Sequence, residues 1–248
     1  MLTEERYIMI INHLKEHKFS HLEDLVKLIN LSESTIRRDL ATLEKANLLK
    51  RVRGGAQISQ KTLTEFSEQE KTVQNVTAKK RIARYASSLI EDGDCIYLDA
   101  GTSTFAMIEY ISQANIVIVT NGLKHINALV GKNNISAYII GGKLKATTRA
   151  IIGSDALKNL EKFKFNKCFL GINGVHSEYG FTTPDPEEAT LKASAILHSH
   201  QAFILADNSK FAEVSFVKVA NLSSATIITE TEPEDMAIYP TTIKVIKS

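Results

Sequence analysis

The chain has 248 residues, 44% of them hydrophobic and 23% charged, with a formal net charge of +2. These totals describe an ordinary globular protein of one or two domains. The longest apolar runs, such as Ala137-Tyr-Ile-Ile140, fall far short of the roughly 18 residues of a membrane span. The opening MLTEERYIMIINHLKEHK puts two acids before its apolar residues and lacks a signal-peptide cleavage pattern, so the expected location is the cytoplasm. Cys95 and Cys168 sit in apolar runs and read as two buried thiols of a reducing compartment. No histidine spacing points to a metal, and none is expected.

Three helical patterns open the chain. Tyr7, Ile10, Ile11 and Leu14 form the first amphipathic stripe, and Leu22, Leu25, Val26 and Ile29 form the second after a cap at Ser20. The short turn Asn30-Leu31-Ser32 leads into a third helix capped by Ser32. In that helix Ile36, Leu40 and Leu43 share one arc, while Ser34, Arg37, Arg38, Ala41 and Lys45 fall opposite. Two β-like runs follow around Gly54-Gly55, a pair suited to a tight hairpin turn, and Lys50, Arg51 and Arg53 decorate them. Between Arg37 and Arg53 there are six basic and two acidic residues, the local excess to which a phosphate backbone responds.

Each feature alone fits a small helical bundle with solvated arginines. Together they predict a winged helix-turn-helix over residues 1–58, with Arg37, Arg38, Lys50, Arg51 and Arg53 facing double-stranded DNA.

Residues 59–76 are polar and without sustained period, and read as a linker with at most a helical turn. Residues 77–248 form the second expected domain. Thr77 is expected to cap a helix with the stripe Ile82, Ala86, Leu89 and Ile90, ended by Asp92-Gly93. Beyond it one grammar repeats: CIYL, IVIV, AYII, KCFLG and AFILA are apolar runs that each end in Gly, hydroxyl, amide or charge. Such strands alternating with helices predict an α/β fold with a doubly wound, mostly parallel sheet.

Ligands bind such sheets outside the carboxyl ends of the strands. Gly101 permits close backbone approach, and Thr102, Ser103 and Thr104 begin a helix whose N–H groups favour an anion. Asn121 and Asp207 suit sugar hydroxyls, and Lys210 suits a phosphate or a carboxylate. Taken singly, these are ordinary turn and cap residues. Five such turns on one rim predict a small anionic ligand. Asp99, Glu187, Glu188, Lys192 and Lys210 could instead form an acid–base set for isomerising a sugar phosphate, although Glu188 and Lys192 also make an i, i+4 helix pair that needs no function.

The stretch LSESTIRRDLATLEKANLLKRVRGGA resembles the signature of the DeoR family of bacterial transcriptional repressors. YLDAGTST, TNGL, IIGGKL, FLGINGV and LADNSKF are similar to that family's sensor domain, which implies a ribose-5-phosphate isomerase-like fold. The resemblance runs nearly end to end. Within the family the chain looks closest to repressors of fructose operons in Gram-positive bacteria. That likeness implies a homo-oligomeric repressor without enzymatic activity or cofactor, released from operator DNA by a phosphorylated sugar such as fructose 1-phosphate. It places DNA contacts at Ser34, Thr35, Arg37 and Arg38 of the recognition helix and at Arg51, Arg53, Gly54 and Gly55 of the wing, and the effector at Asp99, Gly101, Thr102, Ser103, Thr104, Thr120, Asn121, Gly141, Gly142, Lys192, Asp207 and Lys210. Two departures stand out: Arg53 replaces the family's usual His before Gly-Gly, and Asn47 replaces a common Gly after the recognition helix. The alternatives are a repressor answering another sugar phosphate, such as tagatose 6-phosphate, or an isomerase-like enzyme with a fused DNA-binding domain.

Overall fold

A computed structural model describes residues 3–17, 19–45, 49–58, 66–233 and 236–246. The chain divides into two compact units, Met1–Thr64 with Glu213–Phe216, and Glu65–Ala212 with Val217–Ser248. Asn47 and residues 59–65 of the expected linker lie outside the described residues.

In the smaller unit the elements run α1 (Thr3–His17), β1 (Phe19–His21), α2 (Leu22–Ile29), α3 (Glu33–Lys45), β2 (Leu49–Val52) and β3 (Gly55–Ile58). The predicted stripes supply its core: Ile10, Ile11, Leu14, Leu25, Ile29, Ile36, Leu40 and Leu43 are all buried. Asn30 ends α2 in the left-handed conformation, its N–H donating to the Val26 carbonyl. Ser32 caps α3 as expected, its hydroxyl and carbonyl both accepting from the Thr35 N–H. Ser20 does not cap α2. It lies in β1, a strand that the polar FSH gave no sign of, and β1 pairs with β3 to make a three-stranded sheet in the order β1–β3–β2.

The wing turn also sits one residue earlier than expected. Val52 pairs with Gly55, so Arg53 and Gly54 form the turn, with Gly54 at φ +86°. Gly55 is required for another reason: a Cβ there would stand 2.1 Å from the Ser20 carbonyl oxygen of β1.

The larger unit begins with α4 (Glu68–Val73) inside the stretch expected to be linker. Ser67 and Glu70 close a reciprocal capping box around it, but none of its residues is buried, so no apolar stripe marks it. Then come α5 (Val76–Ser87), β4 (Cys95–Leu98), α6 (Thr102–Met107), β5 (Ile116–Thr120), α7 (Leu123–Leu129) and β6 (Ile135–Ile139). A hairpin, β7 (Lys143–Lys145) and β8 (Ala150–Ile152), precedes α8 (Ser154–Leu160) and β9 (Phe165–Gly171). A second hairpin, β10 (Gly174–His176) and β11 (Gly180–Thr183), precedes α9 (Pro186–Leu197) and β12 (Ser199–Leu205). Last are β13 (Val217–Ala220), β14 (Thr226–Thr229) and β15 (Ile243–Val245).

Two boundaries differ from expectation. Asn75, not Thr77, occupies the cap position of α5, and its side chain bonds elsewhere. That helix ends at Ser87, short of Asp92-Gly93, where Gly93 (φ +81°) instead turns the chain into β4.

Seven strands form one wholly parallel sheet in the order β15–β14–β12–β9–β4–β5–β6. Alternate residues feed opposite faces. Ile96 and Leu98 pack with Ile82 and Ala86 of α5, whereas Tyr97 packs with Phe165, Leu191 and Ala195 on the other side. Cys168 is buried as expected, whereas Cys95 is only half-buried; both are free thiols.

Candidate functional site

From β4 the chain steps outward through β5 to β6, then returns to the other side of β4 at β9 and continues outward through β12 and β14 to β15. The β4–β9 boundary is therefore the switch point, where crevices open at strand ends. A cavity lies there, lined from β4 by Asp99, Gly101, Thr102 and Ser103, from β9 by Gly171 and Asn173, and from β12 by Asp207 and Lys210. Lys192 and Glu188 of α9 and Thr148 complete one wall; Glu68, Lys71, Gln74, Asn75 and Lys79 form another.

Asp99 is buried and its Oδ2 accepts two bonds, from the Gly171 N–H at 3.2 Å and from the buried Lys192 ammonium. Lys192 therefore reaches Asp99 across the cavity wall. Glu188, one turn earlier on α9, accepts from Thr148 Oγ1 at 2.7 Å and Lys145 Nζ at 3.3 Å. Asp207 accepts from Asn75 Nδ2 at 3.0 Å and from the Ser209 N–H at 3.0 Å. Every carboxylate on the wall thus has a donor. Lys210, half-buried, makes no ion pair among the described residues.

Lys79 is the least accommodated charge. It is only 8% exposed and donates to the carbonyls of Lys71 and Gln74, the latter at 2.7 Å. Burial pushes its ammonium down to about 8, with Asp207 opposing the shift and Lys210 and Lys71 adding to it.

Five of the expected effector residues stand behind the wall. Thr104 Oγ1 donates to the Asp99 carbonyl at 2.5 Å and meets His125 Nε2 at 3.1 Å. That imidazole is pushed down to about 3, first by burial and then by Lys124, so it is neutral at ordinary pH. Asn121 Oδ1 accepts from the Ala100 N–H at 2.8 Å and Nδ2 donates to the Ile151 carbonyl at 3.2 Å; Thr120 Oγ1 accepts from the Gly122 N–H at 3.0 Å. These three side chains brace the Asp99–Gly101 loop and its neighbours. Gly141 and Gly142 are also outside the cavity lining. Gly142 is a packing glycine, since a Cβ there would stand 2.7 Å from the Ile152 carbonyl oxygen.

Absent from the residues expected at the site are Thr148, Gly171 and Asn173 and a whole wall of the cavity, Glu68, Lys71, Gln74, Asn75 and Lys79, which lies within or just after the expected linker. The S-x-x-E pattern of Ser67–Glu70 was the available signal.

On the smaller unit, Ser34, Arg37 and Arg38 are exposed on α3 and Thr35 is half-buried, while Lys50, Arg51 and Arg53 are exposed on the wing. Arg37 is held by Glu33, with Nε–Oε1 2.8 Å. Arg51 is held by Glu44, which accepts from its backbone N–H at 2.7 Å and from Nε at 2.5 Å and is thereby kept below the usual carboxylate range. Among the described residues Arg38, Lys50 and Arg53 make no ion pair. Asp39, one of the two acids between Arg37 and Arg53, is buried against Arg6 of α1 at 2.8 Å. The outward charge of α3 is correspondingly more positive.

Two family models match the chain: a DeoR-like helix-turn-helix domain over residues 6–62 and a DeoR C-terminal sensor domain over residues 74–231. An uncharacterized HTH-type transcriptional regulator FruR of Bacillus subtilis is 48% identical over the full length of both chains. The HTH-type transcriptional repressor GlcR of the same organism is 34% identical over 92% of this chain and 88% of its own. A lactose phosphotransferase system repressor of Staphylococcus epidermidis is 34% identical over 80% of each. Among solved structures, ribose 5-phosphate isomerase A of Methanocaldococcus jannaschii overlaps 56% of this chain and 55% of its own, at 14% identity and a TM-score of 0.41. No described helix is long and apolar enough to cross a membrane. With both family models and full-length relatives in agreement, the chain belongs to the DeoR family of helix-turn-helix transcriptional regulators.

Proposed function

We propose that the protein is a cytoplasmic, homo-oligomeric repressor of a sugar-utilisation operon, released from its operator by a phosphorylated sugar, with fructose 1-phosphate the first candidate. One observation carries the effector reading: the switch-point cavity combines a buried, carbonyl-bound Lys79 and an unpaired Lys210 with carboxylates that already have donors. Such a wall offers a phosphate the ammonium groups of Lys79 and Lys210, which no described carboxylate bonds, and offers hydroxyls fixed polar groups. Binding rather than turnover is supported by Asp99, whose carboxylate is committed to Lys192 and Gly171 instead of standing as a base. The names of the relatives support sugar operons as the target. In this reading Ser34, Thr35, Arg37 and Arg38 meet base edges and phosphates, and Lys50, Arg51 and Arg53 of the wing hold the flanking backbone.

For the effector to release DNA its affinity must differ between the two states; a hundredfold change in operator affinity needs about 2.7 kcal/mol of coupling. The test is a mobility-shift titration with the protein's own upstream DNA and a panel of fructose 1-phosphate, fructose 6-phosphate and tagatose phosphates. Release by one compound at concentrations where the others fail is the expected result. Retention of DNA under all of them, or turnover of a ketose phosphate at enzymatic rates, would overturn the proposal.

A further inference from the structure

Lys79 stands in the first turn of α5, where the helix dipole disfavours a cation, and it is nearly sealed from water. Among the described residues no carboxylate bonds to it; its partners are two backbone carbonyls of the α4 segment, those of Lys71 and Gln74. An ammonium has three donors, so these two bonds satisfy two of them and supply no counter-charge. The same side chain lines the cavity beside Lys210, Asn75 and Asp207.

The α4 segment itself is weakly held. None of its residues is buried, so polar anchors fix it to the sensor unit: Lys79 at its C-terminal end, Lys124 on Glu68 at 2.8 Å, the Glu68 N–H on the Thr147 carbonyl at 2.9 Å, and Asn75 on Asp207. A segment without apolar burial opens locally at low cost, and each anchor is a large part of what holds it.

We infer that Lys79 couples the effector to the α4 segment: its ammonium exchanges the Lys71 and Gln74 carbonyls for the effector's phosphate, so that binding the anion loosens the segment that leads into the sensor unit. This rests on the phosphorylated-sugar reading. A phosphate monoester offers what the carbonyls cannot, a full counter-charge at the helix end and a partner shared with Lys210. The freed carbonyls lie on an exposed segment, where water replaces the lost donor.

The test uses the full chain, with fructose 1-phosphate as first probe and inorganic phosphate as a second arm. Hydrogen exchange over residues 68–76 is expected to accelerate when wild-type protein is saturated with the sugar phosphate. Lys79→Met, which keeps the aliphatic stem, is expected to show fast exchange there without ligand and no further change with it. Calorimetry should find its affinity at least about tenfold weaker, the loss of one charge-assisted bond. Lys79→Arg keeps the charge and should recover most of that affinity, which separates the charge from a packing effect, and a melt of each variant checks folding. Slower exchange over 68–76 on binding, or Lys79→Met binding within twofold of wild type, overturns the coupling role while the effector reading stands. If wild-type protein binds none of the sugar phosphates in the panel, the effector reading falls and takes the coupling with it.

Discussion

The Asp99–Lys192 pair allows a quantitative test of how the site is built. Both side chains are buried, at 4% and 5% exposure, and the only other donor to Asp99 Oδ2 among the described residues is the Gly171 N–H. Lys192→Met leaves a buried carboxylate with one neutral donor; Asp99→Asn leaves a buried ammonium without a counter-ion. Breaking a buried pair from one side costs about 3–5 kcal/mol. At about 2–4 °C per kcal/mol for a chain of this size, each single variant should lower the sensor unit's melting temperature by roughly 6–20 °C. The double variant removes both charges, so its cost should fall short of the sum of the singles by about 2 kcal/mol or more. The chain has no tryptophan, so unfolding is best followed by far-UV circular dichroism, with the two units fitted as separate transitions. Costs that add across the double variant, or singles that cost under about 1 kcal/mol, would show that the two groups do not act as a buried pair.

Four further outcomes are expected. Replacing Arg37 and Arg38 by Ala should weaken operator binding about a hundredfold and flatten its salt dependence, with sugar-phosphate binding by calorimetry unchanged; intact operator affinity at physiological salt would remove α3 as the reading helix. Gly55→Ala should cost the smaller unit about 2 kcal/mol or more and weaken DNA binding, because the new Cβ collides with β1; a melt and a mobility shift check it. Lys79 gives a pH signature: its ammonium titrates near 8 in the folded protein and at its ordinary 10.5 in the unfolded chain. The folded state therefore sheds this proton first, and its contribution to stability rises with pH between those values. Denaturation of wild type against Lys79→Met from pH 7 to 11 should show wild type gaining stability relative to the variant as pH rises, and a constant offset would contradict it. Tyr97→Phe removes a buried hydroxyl that has no partner among the described residues, so it should be neutral or stabilising by up to about 1 kcal/mol; a clear loss would reveal an unseen bond.

What could be read from the residues was what packing periodicity and strand-end chemistry declare. Ile36, Leu40 and Leu43 announced the buried face of α3, and the apolar runs ending in Asp99, Asn173 and Asp207 announced strands of a parallel sheet. The cavity assembled Asp99, Gly101, Thr102, Ser103, Asp207 and Lys210 from those turns, and Lys192 from helix α9. Thr104, Thr120 and Asn121 have the same composition as ligand-binding residues, yet their bonds go to the backbone of the loops themselves. Composition does not separate a residue that touches a ligand from one that holds the loop that does. β1 and α4 were invisible for a related reason: neither has an apolar repeat, and both are fixed by pairing or polar anchors set elsewhere in the fold.

The early position of α4 bears on modularity. Regulators of this kind look like interchangeable parts, one reading DNA and one reading a metabolite, separable at the polar stretch between them. Yet Glu68, Lys71, Gln74 and Asn75 stand on the cavity wall, upstream of the point where the sensor's periodic pattern begins. A sensor grafted from Thr77 onward would carry the sheet and leave part of its receptor behind. On the proposed effector reading, recombination between relatives that preserves ligand response must cross over before Ser67, so that α4 travels with the larger unit to which it belongs.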